Sequence, residues 1–225
     1  MMQRSLSAST SAEQEAPSTE GASTSDKRLP RIAIFASGSG SNFQAIVDAA
    51  QADPQHFGAV VALLVCDKPG AYVLERAKAA GIQSAVYTPK QYENRELYEQ
   101  DLLQRLQAEG IEWIVLAGYM RIITHVLLEA YPGKMMNIHP SLLPSFPGLH
   151  AVKQALDYGV RVTGVTVHLV DAGMDTGPIL AQHVVQVEAG DTEESLSDRI
   201  HAIEHGLYPA VICDVLAGRL APIRV

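Results

Sequence analysis

Residues 31–42 read R-I-A-I-F-A-S-G-S-G-S-N, an apolar run of strand length that breaks into alternating serine and glycine. Phe43 to Gln51 then places apolar residues three and four apart, the spacing of an amphipathic helix. Strand, glycine turn and helix in that order open a β-α unit. Gly38 and Gly40 let the backbone turn tightly and approach a ligand closely, while the amides of Ser41, Asn42 and the first helical turn point at whatever lies there. Such a loop holds a phosphate without basic side chains. As a dinucleotide fingerprint it is imperfect, because Phe43 stands at the third glycine position of G-x-G-x-x-G, although Asp67 is placed to act as the ribose-binding acid.

Outward from this unit, short apolar runs alternate with longer amphipathic ones. Strands are expected at Arg31 to Ala36, Ala59 to Cys66, Glu112 to Ala117 and Lys134 to Ile138, with a weaker one at Ser84 to Tyr87. Helices fit at Ala71 to Ala80 and Tyr92 to Glu109, and Gly81 and Gly110 sit where C-terminal caps belong. Near-continuous apolar strands are what a parallel sheet buried on both faces requires. The last third changes character: Val162 to Val170 and Pro178 to Val187 are rich in β-branched residues and joined by a short loop, so an antiparallel pair is expected there. A final helix, capped by Thr192, is expected to run to about Ala217 with an irregularity at Gly206 and Pro209. The expected fold is therefore a single α/β domain, Rossmann-like, with a mostly parallel sheet, helices on both faces and an antiparallel C-terminal strand pair.

Composition narrows the classes. The chain has 225 residues and 47% hydrophobic content, enough for a sizeable core, and no apolar run approaches the roughly 18 residues of a membrane span. With 17 Lys and Arg against 25 Asp and Glu, the net charge of −8 argues against a nucleic-acid partner held through many phosphates. Residues 1–29 contain ten Ser or Thr and almost no large apolar side chains, and read as a disordered tail ahead of a catalytic domain over 30–225. Glu13, Glu15 and Glu20 argue against a transit peptide. Cys66 and Cys213 read as buried reduced thiols, which together with the absence of a signal sequence favours a cytoplasmic protein.

Three constellations carry chemistry. The first is the 35–42 loop. The second, Met136 to His150, is M-N-I-H-P-S-L-L-P-S-F-P-G-L-H. Asn137 and His139 are two apart at the end of a strand, so their side chains share a face where open α/β sheets place their sites. An amide that donates to an oxyanion beside a group that titrates near neutrality suits acyl transfer, and three prolines stiffen the loop behind them. The third, D-A-G-M-D-T-G-P at 171–178, offers two carboxylates, either of which, within reach of His139, would favour the protonated ring. His201 and His205 share a helix face but lack the companions of a metal site, and no metal is expected. Arg95 reads as part of a solvated helix face.

Taken together the chain resembles the phosphoribosylglycinamide formyltransferase family, the folate-dependent glycinamide ribonucleotide transformylases of purine synthesis. Five motifs occur in the family's order: S-G-S-G-S-N, L-A-G-Y-M-R-I-I, N-I-H-P-S-L-L-P-S-F-P-G-L-H-A, H-L-V-D-A-G-M-D-T-G-P-I and I-E-H-G-L-Y-P. The resemblance implies direct transfer of a formyl group from 10-formyltetrahydrofolate, a co-substrate, to the amine of glycinamide ribonucleotide. It implies that Asn137 binds the formyl oxygen, that His139 is the general acid and that Asp175, rather than Asp171, pairs with His139. It places the substrate's phosphate on Gly40, Ser41 and Asn42 and its ribose or amine region at Glu204. It assigns the folate to Arg95, Met120, Arg121, Ile122 and Ile123 with Asn137, against Arg95 as a merely solvated residue. Thr166 and His168 are expected only to support these groups. A monomer or homodimer is expected.

Methionyl-tRNA formyltransferase shares the N-x-H-P-S-L-L-P core, but that family carries an Arg-Gly near Phe146 to Gly148 and a tRNA-binding C-terminal domain. Formyltetrahydrofolate deformylase carries an N-terminal regulatory domain. A nucleotide- or NAD-binding module without catalysis is the reading from another class.

Overall fold

The computed structural model describes residues 28–222. Of the tail expected over 1–29, residues 1–27 lie outside the described residues. The elements are β1 (Arg31–Ala36), α1 (Ser41–Ala52), α2 (Pro54–Phe57), β2 (Val60–Cys66), α3 (Val73–Ala79), β3 (Ser84–Val86), a 3₁₀ turn (Pro89–Gln91), α4 (Arg95–Ala108), β4 (Trp113–Leu116), α5 (His125–Ala130), β5 (Met135–His139), α6 (Ala151–Tyr158), β6 (Val162–Leu169), β7 (Ile179–Gln186) and α7 (Glu193–Leu216).

They build one seven-stranded sheet in the order β3-β2-β1-β4-β5-β6-β7. The chain winds from β1 to β2 and β3 on one side and then returns to β4 on the other side of β1. The strand order thus reverses between β1 and β4, and the carboxyl ends of those strands open the crevice where such sheets bind ligands. β1 through β5 are parallel, whereas β6 runs antiparallel to both β5 and β7.

β1 explains the two-faced core. Ile32 to Ala36 are all fully buried, and their alternation sends Ile32, Ile34 and Ala36 into one cluster and Ala33 and Phe35 into the other. The first cluster packs Phe43 and Ile46 of α1 with Leu196, Ile200 and Tyr208 of α7. The second packs Leu102 and Leu106 of α4 and Leu127 of α5. Burial on both faces is the physical reason these strands lack polar alternation.

Two short helices, α2 and α5, escape the periodicity reading because each is too brief to show a sustained apolar stripe, and α6 escapes it because His150 offers no side-chain cap to mark its start. α4 starts at Arg95 rather than Tyr92, where the Asn94 side chain accepts the Leu97 amide at 2.8 Å. α7 is one helix through Gly206 and Pro209 rather than an interrupted one. Tertiary anchoring offsets the lost backbone donor: Tyr208 is fully buried, and its hydroxyl reaches the carbonyls of Leu116 (2.9 Å) and Met136 (3.1 Å) on β4 and β5. Both cysteines are free and buried, and no helix among the described residues is long and apolar enough to cross a membrane.

Candidate active site

A cleft of about 620 Å³ opens at the carboxyl ends of the parallel strands, walled by the loops after β1, β4 and β5, the β6–β7 loop and one face of α7. Its β1 wall is set by Gly40, which precedes α1 with φ of +75°. A β-carbon there would stand 2.4 Å from Val73 Cγ2, so only glycine fits. The first helical bond of α1 runs from the Gln44 amide to the Gly40 carbonyl at 2.9 Å. The amides of Ser41, Asn42 and Phe43 therefore have no partner within the helix and, with the helix dipole, make an anion-favouring end.

Asn42 and Glu204 meet across that end. Both are buried, and the Asn42 amide donates to Glu204 Oε2 at 2.7 Å. Burial pushes the Glu204 carboxyl above its ordinary range, opposed by the Asn42 bond and by His201. His201 stacks on His205, centroids 6.4 Å apart, and lines the same wall.

β5 delivers Asn137 and His139, as the two-residue spacing requires, and β6 lays His168 directly opposite Asn137 and Thr166 opposite His139. His139 is 5% exposed; its Nδ1 lies 3.4 Å from Asp175 Oδ2 and its Nε2 2.9 Å from the Phe146 carbonyl. Both ring nitrogens face acceptors, so a ring protonated at both satisfies both contacts. Asp175 Oδ2 also accepts the Gly148 amide at 2.8 Å, and Oδ1 is 3.7 Å from His168 Nε2. Contact with His168 holds the Asp175 carboxyl below the usual carboxylate range, with the Gly148 amide and the charge of His139 adding to it and burial opposing. Asp171 instead closes its own loop, accepting the Gly173 amide at 3.0 Å and the Thr176 hydroxyl at 2.8 Å.

His168 was expected to play only a supporting part, and its bonds define that part. Its Nδ1 donates to the Leu169 carbonyl at 2.9 Å, so in the neutral ring Nε2 accepts Asn137 Nδ2 at 3.2 Å, and only a ring protonated at both nitrogens presents Nε2–H to Asp175. One Asn137 N–H is thereby committed and the second is free for a ligand. Thr166, fully buried, receives the Leu143 amide and donates to the Ser141 carbonyl, tying the proline-rich loop to β6.

Strain concentrates here. The non-glycine residues with positive φ among those described, Phe146, His150 and Asp175, all lie in the two loops joined by the Gly148–Asp175 bond. Such conformations cost of order 1–3 kcal/mol each and gather at functional sites.

The loop after β4 alternates. Tyr119 and Ile123 are buried, whereas Met120 and Ile122 are 61% and 50% exposed and line the cleft. Leu149 and Met174, also exposed, line it from the other loops. Arg121 lines it too, but its guanidinium is turned to Asp67 at 2.6 Å. Arg95 is exposed at the first position of α4 and is not among the lining residues. Sequence reasoning missed the Phe146 carbonyl, the Gly148 amide and Asp67's place beneath the 118–123 loop. The β5–β6 register is the signal that would have found His168's contact.

The family model described as "Formyl transferase" matches residues 30–212. A Bacillus subtilis (strain 168) protein named phosphoribosylglycinamide formyltransferase is 52% identical over 188 residues, covering 84% of this chain and 95% of that protein. The trifunctional purine biosynthetic protein adenosine-3 of Drosophila melanogaster is 43% identical over 192 residues, 85% of this chain but 14% of that much longer protein. Among solved structures, glycinamide ribonucleotide transformylase 1 from Geobacillus kaustophilus superposes with a TM-score of 0.81 at 54% identity, covering 84% of this chain and all of that one, 100%.

Proposed function

The chain belongs to the formyl transferase family, and on that premise we propose that it transfers the formyl group of 10-formyltetrahydrofolate to the amine of glycinamide ribonucleotide in purine biosynthesis. The observation that carries the reading is one cleft that gathers Asn137, His139 and Asp175 with Ser41 and Asn42 at the amide end of α1 and with Glu204.

The amide end at Gly40, Ser41 and Asn42 suits a ribose phosphate, and Glu204, already engaged by Asn42, suits the adjoining ribose or amine. The apolar side chains of Met120, Ile122, Leu149 and Met174 suit a flat heterocycle and its aromatic linker, with the backbone of 120–123 supplying polar atoms. Arg95, exposed to solvent, suits the glutamate end of a folate emerging from the cleft.

The chemistry follows from these positions. The substrate amine forms a bond to the formyl carbon while the carbonyl electron pair moves to oxygen. The free N–H of Asn137 and a protonated His139 stabilise that negative charge. When the bond from carbon to the folate nitrogen breaks, that nitrogen takes a proton and the attacking amine gives one up, so the exchange is balanced. His139, oriented by Asp175 at Nδ1, passes the proton through Nε2–H as that group turns from the Phe146 carbonyl to the reacting atoms. The carboxylate of Asp175, facing Nδ1, orients the ring. A cytoplasmic enzyme without a metal is part of the same reading.

The test follows folate absorbance on 10-formyltetrahydrofolate with and without glycinamide ribonucleotide. Turnover that requires the ribonucleotide is expected. Turnover without it would mean a hydrolase, and none in either case would defeat the reading.

A further inference from the structure

We propose that Asp67 and Arg121 are positioning residues for the folate half of the reaction, an ion pair between a buried carboxylate and a half-buried guanidinium that sets the path of the backbone on which the donor rests. The inference depends on the folate reading of the cleft given above.

Asp67 follows the last residue of β2, and Arg121 lies in the loop after β4. Since β1 separates those strands in the sheet, the pair reaches across the carboxyl end of β1. Asp67 is 4% exposed; Oδ2 takes Arg121 Nε at 2.6 Å, and Oδ1 has no hydrogen-bond partner among the described residues. A carboxylate so buried depends on its one cation.

The loop is anchored on either side of this pair, at Gly118 to Met120 and again at Thr124. The Ser37 amide donates to the Gly118 carbonyl at 3.1 Å, and Ser37 Oγ accepts the Met120 amide at 3.0 Å. Tyr119 packs edge-on against Phe35, centroids 5.2 Å apart, and its hydroxyl meets that of Tyr98. Beyond Ile123, buried Glu99 accepts the Thr124 amide at 2.8 Å and the Thr124 hydroxyl at 2.6 Å. Between these anchors Arg121 is the inward residue that apolar packing does not hold, and Met120 and Ile122 on either side of it face the cleft. Without Asp67, the guanidinium has water in the cleft as its alternative partner, and the chain carrying Met120 and Ile122 shifts with it. Because desolvating the carboxylate offsets its attraction to the guanidinium, the pair contributes little net stability, and the role proposed for it is geometric.

The experiment compares the unaltered protein with Asp67→Asn and Arg121→Lys, measuring kcat and both KM values, together with thermal melting to confirm folding. Asp67→Asn keeps the size and one acceptor, and Arg121→Lys keeps the charge but not the planar fork. The KM for 10-formyltetrahydrofolate is expected to rise about tenfold in Asp67→Asn and less in Arg121→Lys, with kcat and the ribonucleotide KM within about twofold. A folate KM unchanged in both variants, or an equal rise in both KM values, overturns the positioning role while leaving the functional reading intact. No turnover by the unaltered protein overturns the functional reading, and this inference with it.

Discussion

Asn137 Nδ2 stands 3.2 Å from His168 Nε2, directly across the antiparallel ladder between β5 and β6. The Leu169 carbonyl decides which nitrogen of His168 accepts, and so decides which way the Asn137 amide faces.

The first prediction rests on that relay. His168→Phe removes the acceptor while filling the buried space, so Asn137 loses its orientation but not its chemistry. Turnover should fall up to about 10²-fold, the scale on which small misplacements act. Asn137→Ala removes the donor itself and should cost about 10² to 10³. Steady-state kcat for both variants, with melting temperatures close to the unaltered protein for His168→Phe, checks the order.

His139→Ala and Asp175→Asn should each lose most of their turnover while still binding glycinamide ribonucleotide, because the Gly40–Asn42 amides and Glu204 stand on other elements. Calorimetric titration of the ribonucleotide reads this directly. An equal loss of ribonucleotide binding in either variant would sink the division of labour between the two ends of the cleft.

How much of this was legible in the sequence depends on distance along the chain. The strand–loop–helix of 31–51 was legible because its alternation and its glycines are local. Asn137 and His139 were legible because a period of two puts them on one face whatever surrounds them. The choice between Asp171 and Asp175 came from resemblance alone; spatially it is the Gly148 amide that tethers Asp175, a contact 27 residues away. His168 opposite Asn137 depends on cross-strand register, and Asp67 beneath Arg121 on the crossing over β1, neither of which any local pattern encodes. α6 was missed because its capping residue, His150, sits at φ of +57° without a side-chain cap, so no start signal is written there.

Gly40→Ala should damage fold and function together. The left-handed backbone costs an alanine about 1–2 kcal/mol, and overpacking against Val73 adds about 1–3 kcal/mol. For a domain of this size each kcal/mol lowers Tm by roughly 2–4 °C, so a drop of several degrees is expected in a thermal melt. Ribonucleotide binding should weaken in the same variant, since the amides of 41–43 move with the turn. Gly38, around which a β-carbon meets nothing within 4 Å, is the control: Gly38→Ala should leave Tm nearly unchanged.

Glu204 and Asp175 should leave opposite marks on stability against pH. Asp175's folded carboxyl is held below its unfolded value of 3.8, so its contribution is fully present above that value and is lost as pH falls through the lower folded one. Glu204 is the reverse. Burial raises it above the ordinary 4.5, so folding is favoured by its protonated form at low pH, and that advantage is lost as pH rises through the folded value. At pH 7, where the unfolded carboxyl is ionised, burying Glu204 therefore weighs against the ligand-free fold. Glu204→Gln keeps an acceptor for the Asn42 amide and removes the buried charge, so the ligand-free variant should melt higher than the unaltered protein at neutral pH. The gap should close as pH falls below about 4.5, where both side chains are neutral. The same variant should bind glycinamide ribonucleotide more weakly, because the carboxylate is the group that meets the ribose or amine. Melting curves from pH 4 to 8, paired with calorimetry at pH 7, read both effects; a Glu204→Gln variant less stable at pH 7 would show that the charge supports the fold rather than the ligand.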